Sequence, residues 1–257
     1  SYELLVQQDK IDSLVCVHGF DFAVEALDGR ESEQRLETVA AHFGKSFDLV
    51  RTNHSSFLAR GGVSRLLGHG MTLAAIGCLM GFRACHIASS YTLYGLAPWG
   101  SHPLLDPLFS NGATLFVHGD NAVSRFEKTS RIAQDRFLLD NLRVCWESHD
   151  ENCGRCSKCL RTMAALDIIG VKGPFPGVPS NNVYRRMAAT TDPCWTTELF
   201  VAAAEAGKTS MARALRQGLR LHDFREAGKY VLQAMFRGLP QQLRSSRVGA
   251  QPEKWNT

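Results

Sequence analysis

The sequence predicts an α/β fold in which a parallel sheet carries helices on both faces. Short apolar runs that end in polar or glycine-bearing residues alternate with segments of helical periodicity in the first half of the chain. Strands that alternate with helices favour parallel pairing, because a parallel connection needs a crossover long enough to hold a helix. Binding sites in such sheets lie at the carboxyl ends of the strands.

The elements are predicted in order along the first 91 residues. Apolar runs predict strands in SLVCVHGFD (residues 13–21), SFDLVRTN (46–53) and ACHIASSY (84–91). Apolar residues at helical spacing before a glycine predict a helix in ESEQRLETVAAHFG (31–44). The segment GHGMTLAAIGCLMGF (68–82) is apolar nearly throughout and predicts a buried helix.

The pattern changes after the third predicted strand. Residues 92–110 are rich in proline, glycine and aromatic side chains and show no period, which predicts a long ordered loop of the kind that often carries function. From Pro193 onward the pattern is helical, with alanine-rich and arginine-rich segments. We therefore predict an α/β domain over residues 1–170 and a mainly helical region over residues 171–257.

Composition limits the class of protein. A chain of 257 residues with 44% hydrophobic residues can bury a substantial core, and it shows neither a membrane-spanning run nor the order of a signal peptide. Cysteines scattered through apolar segments do not form a disulfide framework, so we expect a cytoplasmic protein. A net charge of +4 permits an anionic small molecule and does not demand nucleic acid. A homodimer is compatible with this composition.

Half of the eight cysteines fall in one short loop, residues 145–159, with the spacing C-x7-C-x2-C-x2-C. Its members are Cys145, Cys153, Cys156 and Cys159. Four thiolates in a tetrahedral arrangement suit zinc. An iron–sulfur cluster also takes four cysteines, but the known ferredoxin spacings differ. A redox pair at Cys153 and Cys156, unliganded core cysteines, and His149 as a competing ligand are the other interpretations.

The remaining four cysteines lie in apolar or helical surroundings and are predicted to be packing residues. They are Cys16, Cys78, Cys85 and Cys194. A site closed by four sulfur ligands is structural, so zinc would fasten the loop and would not take part in chemistry.

The cysteine run followed by Leu160 and Arg161 resembles the zinc loop of the 7-cyano-7-deazaguanine synthases, which belong to the PP-loop ATP pyrophosphatase superfamily. The spacing before the last three cysteines is one residue shorter here than is usual in that family. The order of strands and helices agrees over residues 1–170, and WGSHPLLDPLFS (99–110) falls where the family has its substrate loop. The resemblance implies a Rossmann-like nucleotide-binding domain of the HUP type.

Two departures from the family matter. The superfamily's glycine-rich S-G-G-x-D-S loop, whose amides cradle pyrophosphate, does not occur in this sequence. Ser1 corresponds to the last serine of that loop, so the first strand and most of the loop are expected upstream of it. The segments GSHP and GHG also differ from the deazaguanine enzymes, which implies a different substrate.

The resemblance implies an enzyme that uses ATP and Mg²⁺ to adenylate a small-molecule carboxylate or carbonyl. Pyrophosphate would leave, and a nitrogen nucleophile would then displace AMP to form an amide, nitrile or related C–N bond. Mg²⁺ and basic groups would offset the charge on the departing pyrophosphate.

Candidate residues follow from the strand ends and from the resemblance. Arg161, at the start of the helix after the zinc loop, is a candidate phosphate or carboxylate clamp, with a solvated surface arginine as the alternative. The predicted catalytic residues are Arg161, Asp106 and His102, with Ser101 beside them. The predicted nucleotide-binding residues are Ser1, His18, Gly19, Phe20, Asp21, His69, Gly70 and Ser89. His69, flanked by glycines, is placed at a helix N-terminus, where it could meet an anion.

A run of charges, Arg125, Glu127 and Lys128, could line the same cleft or could be a solvated helix face. Two other functions stay open. A sulfur-inserting enzyme acting on a nucleobase or RNA would favour exposed catalytic cysteines and a strongly basic surface. A zinc-containing binding module without catalysis is the third.

Overall fold

The computed structural model describes residues 2–20, 30–148 and 150–237. The predictions made for Ser1, Asp21 and His149 lie outside the described residues. Helix α1 (Tyr2–Gln7) and a 3-10 turn (Gln8–Lys10) come before the first strand. Apolar residues of α1 are buried in a core that also contains side chains from the predicted first helix.

The first parallel unit matches the sequence prediction. It consists of strand β1 (Ser13–His18), helix α2 (Arg30–His42) and strand β2 (Ser46–Arg51). The two strands pair in parallel, from Ser13 opposite Ser46 to His18 opposite Arg51. Their carboxyl ends therefore lie side by side at one edge.

Two helices follow, α3 (His54–Arg60) and α4 (Arg65–Leu79). The predicted helix at 68–82 is confirmed, but it begins three residues earlier, and only one of its faces is buried. The buried face contains Gly68, Gly70, Ala74 and Gly77. Met71 is 55% exposed and Leu79 is 86% exposed. The prediction of a fully buried helix is therefore wrong, because small residues occupy the contact face and large ones point away from it.

The second parallel unit is formed by β3 (Ala84–Ile87) and β4 (Leu115–His118). The long connection between them holds two 3-10 turns, Leu93–Gly95 and Asp106–Phe109. In the described part of the chain the four strands form two separate two-stranded sheets, with the orders β1-β2 and β3-β4. The α/β class with parallel strands is confirmed, whereas a single Rossmann-like sheet is not seen in these residues.

The remainder of the described chain is helical. Its helices are α5 (Arg125–Gln134), α6 (Arg136–Asp140), α7 (Ser157–Ile169), α8 (Asn181–Ala188), α9 (Pro193–Glu205) and α10 (Thr209–Arg237). Helix α7 contributes Ala164 and Ile168 to a core with α8, α9 and α10, and Leu166 to the core beneath α1. Helix α7 therefore packs against both halves of the chain. Among the helices described, none is long and apolar enough to cross a bilayer.

Candidate metal centre and adjoining cleft

The four clustered cysteines converge at the start of α7. Their sulfur atoms all lie within 4.8 Å of one another, with Cys145 and Cys156 3.9 Å apart and Cys153 and Cys159 4.0 Å apart. A tetrahedral zinc site with Zn–S bonds of about 2.3 Å requires sulfur atoms about 3.8 Å apart. The donor set and its geometry therefore fit zinc, as the spacing predicts.

Backbone amides point at the sulfur atoms. Cys145 Sγ accepts hydrogen bonds from the amides of Glu147 and Ser148, each at 3.3 Å. Cys153 Sγ accepts one from the amide of Cys156 at 3.3 Å. Peptide N–H groups stabilise the thiolate form, which is the form that binds a metal ion.

The protonation states of the cysteines are linked. The hydrogen bond with Cys159 is the largest factor that lowers the pKa of Cys156, to about 5, and the same bond raises the pKa of Cys159. Burial raises the pKa of Cys153. Hydrogen bonding within the cluster therefore favours the thiolate form at Cys156.

Asn152 was not predicted as a member of this site, yet it holds the loop together. Its buried Oδ1 accepts hydrogen bonds from the amides of Val144 (2.9 Å) and Cys145 (3.3 Å). Its Nδ2 donates to the carbonyls of Leu142 (2.8 Å) and Pro174 (3.0 Å). An asparagine in a polar loop gives no sequence signal for this role, because its partners include a carbonyl 22 residues away.

The turn between Cys153 and Cys156 depends on Gly154. Its φ is +69°, and a Cβ there would lie 2.6 Å from Pro176 Cγ. Both observations explain the glycine in the CGRC segment, where the backbone must turn for neighbouring sulfur atoms to converge.

The metal loop places Arg161 inside the protein. The side chain of Cys156 caps α7 by accepting from the amide of Cys159, and Arg161 follows in the second turn. Arg161 is only 8% exposed, so the alternative of a solvated arginine is wrong. Its guanidinium carbon lies 3.8 Å from the ring centroid of Trp195, and burial lowers its pKa to about 10, with the nearby charge of Arg125 as the second cause.

Trp195 connects this arginine to the carboxyl end of β3. Its indole N–H donates to the carbonyl of Ser90 at 3.2 Å, and Tyr91 stacks on it with ring centroids 4.9 Å apart. Arg125 Nη2 donates to the same carbonyl at 3.4 Å. Helices α5, α7 and α9 therefore meet at the end of a strand, where the sequence predicts a binding site.

A narrow cleft lies between these three helices. The residues that line it include Arg125, Thr129, Arg161, Thr162, Trp195 and Glu198. Glu198 Oε2 accepts from the amides of Arg125 (3.0 Å) and Phe126 (3.4 Å), so its carboxylate lies at the N-terminus of α5. Trp195 and Glu198 fall in a region that the sequence predicts only as helix.

Ser89 also lies where β3 and β4 end. Its hydroxyl donates to the carbonyl of Asp120 at 2.6 Å, and Lys128 Nζ donates to both groups. Glu127, by contrast, forms a capping box with Ser124 at the start of α5. The predicted charge run therefore divides into two cations near the strand ends and a structural glutamate.

Asp106 forms a closed network. Its carboxylate is fully buried and accepts hydrogen bonds from Ser101 Oγ (2.7 Å), the His102 amide (3.1 Å) and His118 Nδ1 (2.7 Å). Burial would raise the pKa of Asp106, but these hydrogen bonds outweigh it and lower the pKa. The imidazole of His102 accepts from the Leu104 amide at 3.1 Å. A catalytic role for Asp106 would require this network to open, whereas the half-buried imidazole of His102 lies outside it.

The turn after β1 packs against the start of α3. The carbonyl of Gly19 accepts hydrogen bonds from the amide (3.2 Å) and hydroxyl (2.7 Å) of Ser55. The ring of Phe20 stacks on His54 with centroids 4.3 Å apart, and His18 is buried beside them. These predicted nucleotide-binding residues therefore lie together at one strand edge.

His69 and Gly70 contact the loop that carries Trp99 and Gly100. A Cβ on Gly70 would lie 1.7 Å from the Gly100 carbonyl oxygen, so only glycine permits this approach. The rings of His69 and Trp99 meet edge-on at 5.6 Å. Because α4 begins at Arg65, His69 lies one turn inside the helix, and its predicted place at the N-terminus is wrong.

The candidate residues thus fall into three groups. A row of aromatic rings connects His69 to the Arg161 cleft. His69 contacts Trp99, Trp99 meets Tyr91 edge-on at 5.6 Å, and Tyr91 stacks on Trp195. The Asp106 network and the turn after β1 both reach α4, through Ser101 beside Gly70 and through His54, whose Nδ1 lies 2.7 Å from Thr72 Oγ1.

The other cysteines only partly follow the prediction. Cys16, Cys85 and Cys194 are half-buried, as packing residues can be, but Cys78 is exposed. The packing prediction for Cys78 is wrong, because this residue lies outside the glycine-rich face of α4 that is buried.

No protein-family model, no curated protein and no solved structure matches this chain.

Proposed function

We propose that the protein uses ATP and Mg²⁺ to adenylate a small-molecule carboxylate or carbonyl, and then forms a C–N bond of the amide or nitrile type. The observation that carries this proposal is the placement of Arg161. A four-cysteine loop fixes the start of α7, and the arginine that follows is buried against Trp195 at the end of β3. Strand ends of parallel sheets are where α/β proteins bind nucleotides and substrates.

The metal has a structural role in this proposal. Four cysteine ligands complete the coordination of zinc and leave no open position for substrate. Cys145, Cys153, Cys156 and Cys159 would hold the ion, and Asn152 would hold the loop in place around it. Zinc would thereby fix the direction of α7 and with it the location of Arg161.

The chemical step needs positive charge. An oxygen of the substrate attacks the α-phosphorus of ATP, the bond between this phosphorus and the bridging oxygen breaks, and pyrophosphate departs with the bonding electrons. A nitrogen nucleophile then displaces AMP from the activated carbon. Mg²⁺, when bound, supplies charge neutralisation to the phosphates. Arg161, which is buried, and Arg125, which is exposed at the start of α5, are cations at the strand end and would hold the attacking carboxylate there.

The edge where β3 and β4 end offers further support. Lys128 donates to groups of Ser89 and Asp120 there. Helix α1 starts at the same edge, since Tyr2 donates to Asp120 Oδ2 at 3.2 Å and Glu3 Oε1 accepts from the Asp120 amide at 3.1 Å.

A zinc-containing binding module without catalysis is the second candidate. The burial of Asp106, with both carboxylate oxygens engaged, favours it, because one predicted catalytic residue then has a structural role.

Product analysis separates the two candidates. Full-length protein is incubated with ATP, Mg²⁺ and a panel of carboxylic acids and amines, and the nucleotide products are separated by chromatography. The proposal expects AMP and pyrophosphate in the presence of one class of acid. ADP and phosphate, or no turnover with any acid, would favour a fold without this chemistry.

A further inference from the structure

We propose that Arg125 and Arg161 jointly bind one monoanionic oxyanion, the carboxylate of the acid to be activated, in the cleft between α5, α7 and α9. The inference builds on the proposed function by locating the acid. It can also be tested without ATP, so the two can fail separately.

The first observation is a buried donor without an acceptor. Arg161 is 8% exposed, and its Nη1 is buried without a hydrogen-bond partner among the described residues. Within the described part of the chain, its Nε donates to the carbonyl of Ser157 at 3.3 Å. A buried charged donor that stays unpaired is costly, and an oxyanion in the cleft would satisfy it.

The second observation is a pair of like charges on one ring. The guanidinium carbon of Arg125 lies 5.5 Å from the Trp195 centroid, and that of Arg161 lies 3.8 Å from it. Among the described residues, neither arginine forms an ion pair with a carboxylate. Two guanidinium groups near one ring repel each other, and an anion held by both would remove that repulsion.

The third observation concerns the charge of the ligand. The charged residues that line the cleft are Arg125, Arg161 and Glu198, and the carboxylate of Asp192 acts on Arg161 from just outside it. Two carboxylates beside the two arginines would repel the several charges of a triphosphate or pyrophosphate, so the site favours a ligand with a single negative charge.

The rest of the lining suits an organic acid. Phe126, Ala165 and Leu199 contribute apolar surface beside the two arginines. The cavity measures about 10 Å³, room for roughly one water molecule, so these side chains would move apart to admit a carboxylate with its charge on the arginines and its apolar part against them. Inorganic phosphate and pyrophosphate have no apolar group that could pack against these side chains.

The indole N–H of Trp195 is a reporter for this site. The chain has only four tryptophans, so the indole resonances of a ¹⁵N-labelled protein can be assigned with Trp195→Phe. Zinc-loaded, full-length protein is titrated with acetate and, separately, with pyrophosphate, with chloride keeping the ionic strength constant. The Trp146 indole, within the cysteine loop, serves as the internal reference.

We expect saturable shifts of the Trp195 resonance with acetate and no saturable shift with pyrophosphate. Arg125→Gln should raise the Kd for acetate at least about ten-fold, since a hydrogen bond to a charged group contributes about that factor. Arg161→Lys should do the same. Arg136→Gln is the matched control, because Arg136 is 75% exposed and pairs with Asp140 on α6.

Three results would overturn the inference: no saturable acetate binding by the wild type, acetate binding that Arg125→Gln leaves unchanged, or tighter binding of pyrophosphate that depends on Arg125. Arg125 lies at the exposed start of a helix, so its variant decides the question even if Arg161→Lys does not fold. Acetate binding without any ATP turnover would refute the proposed function and leave the anion site standing.

Discussion

Arg161 lies over the indole of Trp195, with 3.8 Å between its guanidinium carbon and the ring centroid. The arginine comes two residues after Cys159 of the metal cluster, and the tryptophan belongs to α9, which is bound to the end of β3. This single contact therefore joins the four-cysteine cluster, the helical region and the strand edge.

Zinc binding by the four cysteines is the first prediction to test. Purified protein should contain about one zinc per chain, and Cys156→Ser should release it and greatly lower Tm, because metal binding at such sites is coupled to folding. Metal content by mass spectrometry and Tm by calorimetry give the answer. Cys78→Ser, at an exposed cysteine outside the cluster, should change neither quantity. A stable wild type that contains no metal would contradict the assignment.

Replacing Asn152 should lower stability and zinc affinity almost as much as replacing a cysteine ligand. Asn152→Leu leaves two amides and two carbonyls of the loop without their partner, and we expect a loss of about 3 kcal/mol in the free energy of unfolding. Zinc affinity should fall about 10- to 100-fold, as for other residues that orient metal ligands. Competition with a chelator measures the second effect. Asn182→Ala, at an exposed residue of α8, is the control; equal behaviour of the two variants would refute the role of Asn152.

The Asp106 network should make the free energy of unfolding depend on pH in the acid range. Its carboxyl has a folded-state pKa below the ordinary value of 3.8, so it stabilises the folded protein above that pH and loses this contribution as pH falls through the folded-state pKa. Asp106→Ala should cost about 3 kcal/mol or more at pH 7, because it leaves Ser101 and His118 unpaired in the core.

Urea denaturation at a series of pH values from 7 to about 2 tests this expectation. The variant should show a smaller loss of stability below pH 3.8 than the wild type. Asp223→Asn, at a carboxylate that is 78% exposed, should behave like the wild type. If Asp106→Ala kept full stability at pH 7 and lost activity alone, the side chain would be catalytic and not structural.

The variant Arg161→Lys tests whether the positive charge at position 161 is enough, or whether the planar shape of the guanidinium group is also needed. Lysine keeps the positive charge but loses the planar contact with Trp195 and the paired donors, so we expect kcat to fall about 100- to 1,000-fold, as on loss of one group that stabilises developing charge. Zinc content and Tm should change little. Arg136→Lys, at an exposed arginine, is the matched control. A loss of zinc together with activity would show that Arg161 supports the metal loop instead.

The β1–α2–β2 unit and the cysteine cluster could be predicted because their signals are local. An apolar run, a helical period and four cysteines within one loop each fix their structure over a few neighbouring residues. Strand β4 was not predicted, although it is as long as β3, because its apolar residues follow a long loop without a period.

Other features depend on contacts that are distant in sequence. Trp195 reaches Ser90 across 105 residues, and Asp106 is closed off by a histidine of the unpredicted strand β4. Without those partners, Asp106 has the sequence appearance of an exposed loop carboxylate and Trp195 that of an ordinary helix residue. Burial, which decides between a catalytic and a structural aspartate, follows only from the folded chain.

Acid-dependent exchange of pyrophosphate into ATP tests the central claim most directly, because it detects adenylation without requiring the nitrogen nucleophile. Full-length protein is mixed with ATP, Mg²⁺, labelled pyrophosphate and a panel of carboxylic acids, and the label in ATP is counted. The account predicts exchange that needs one class of acid and falls at least about 100-fold in Arg161→Lys. Label that stays in pyrophosphate with every acid would contradict adenylation, and so would equal exchange by the wild type and the variant.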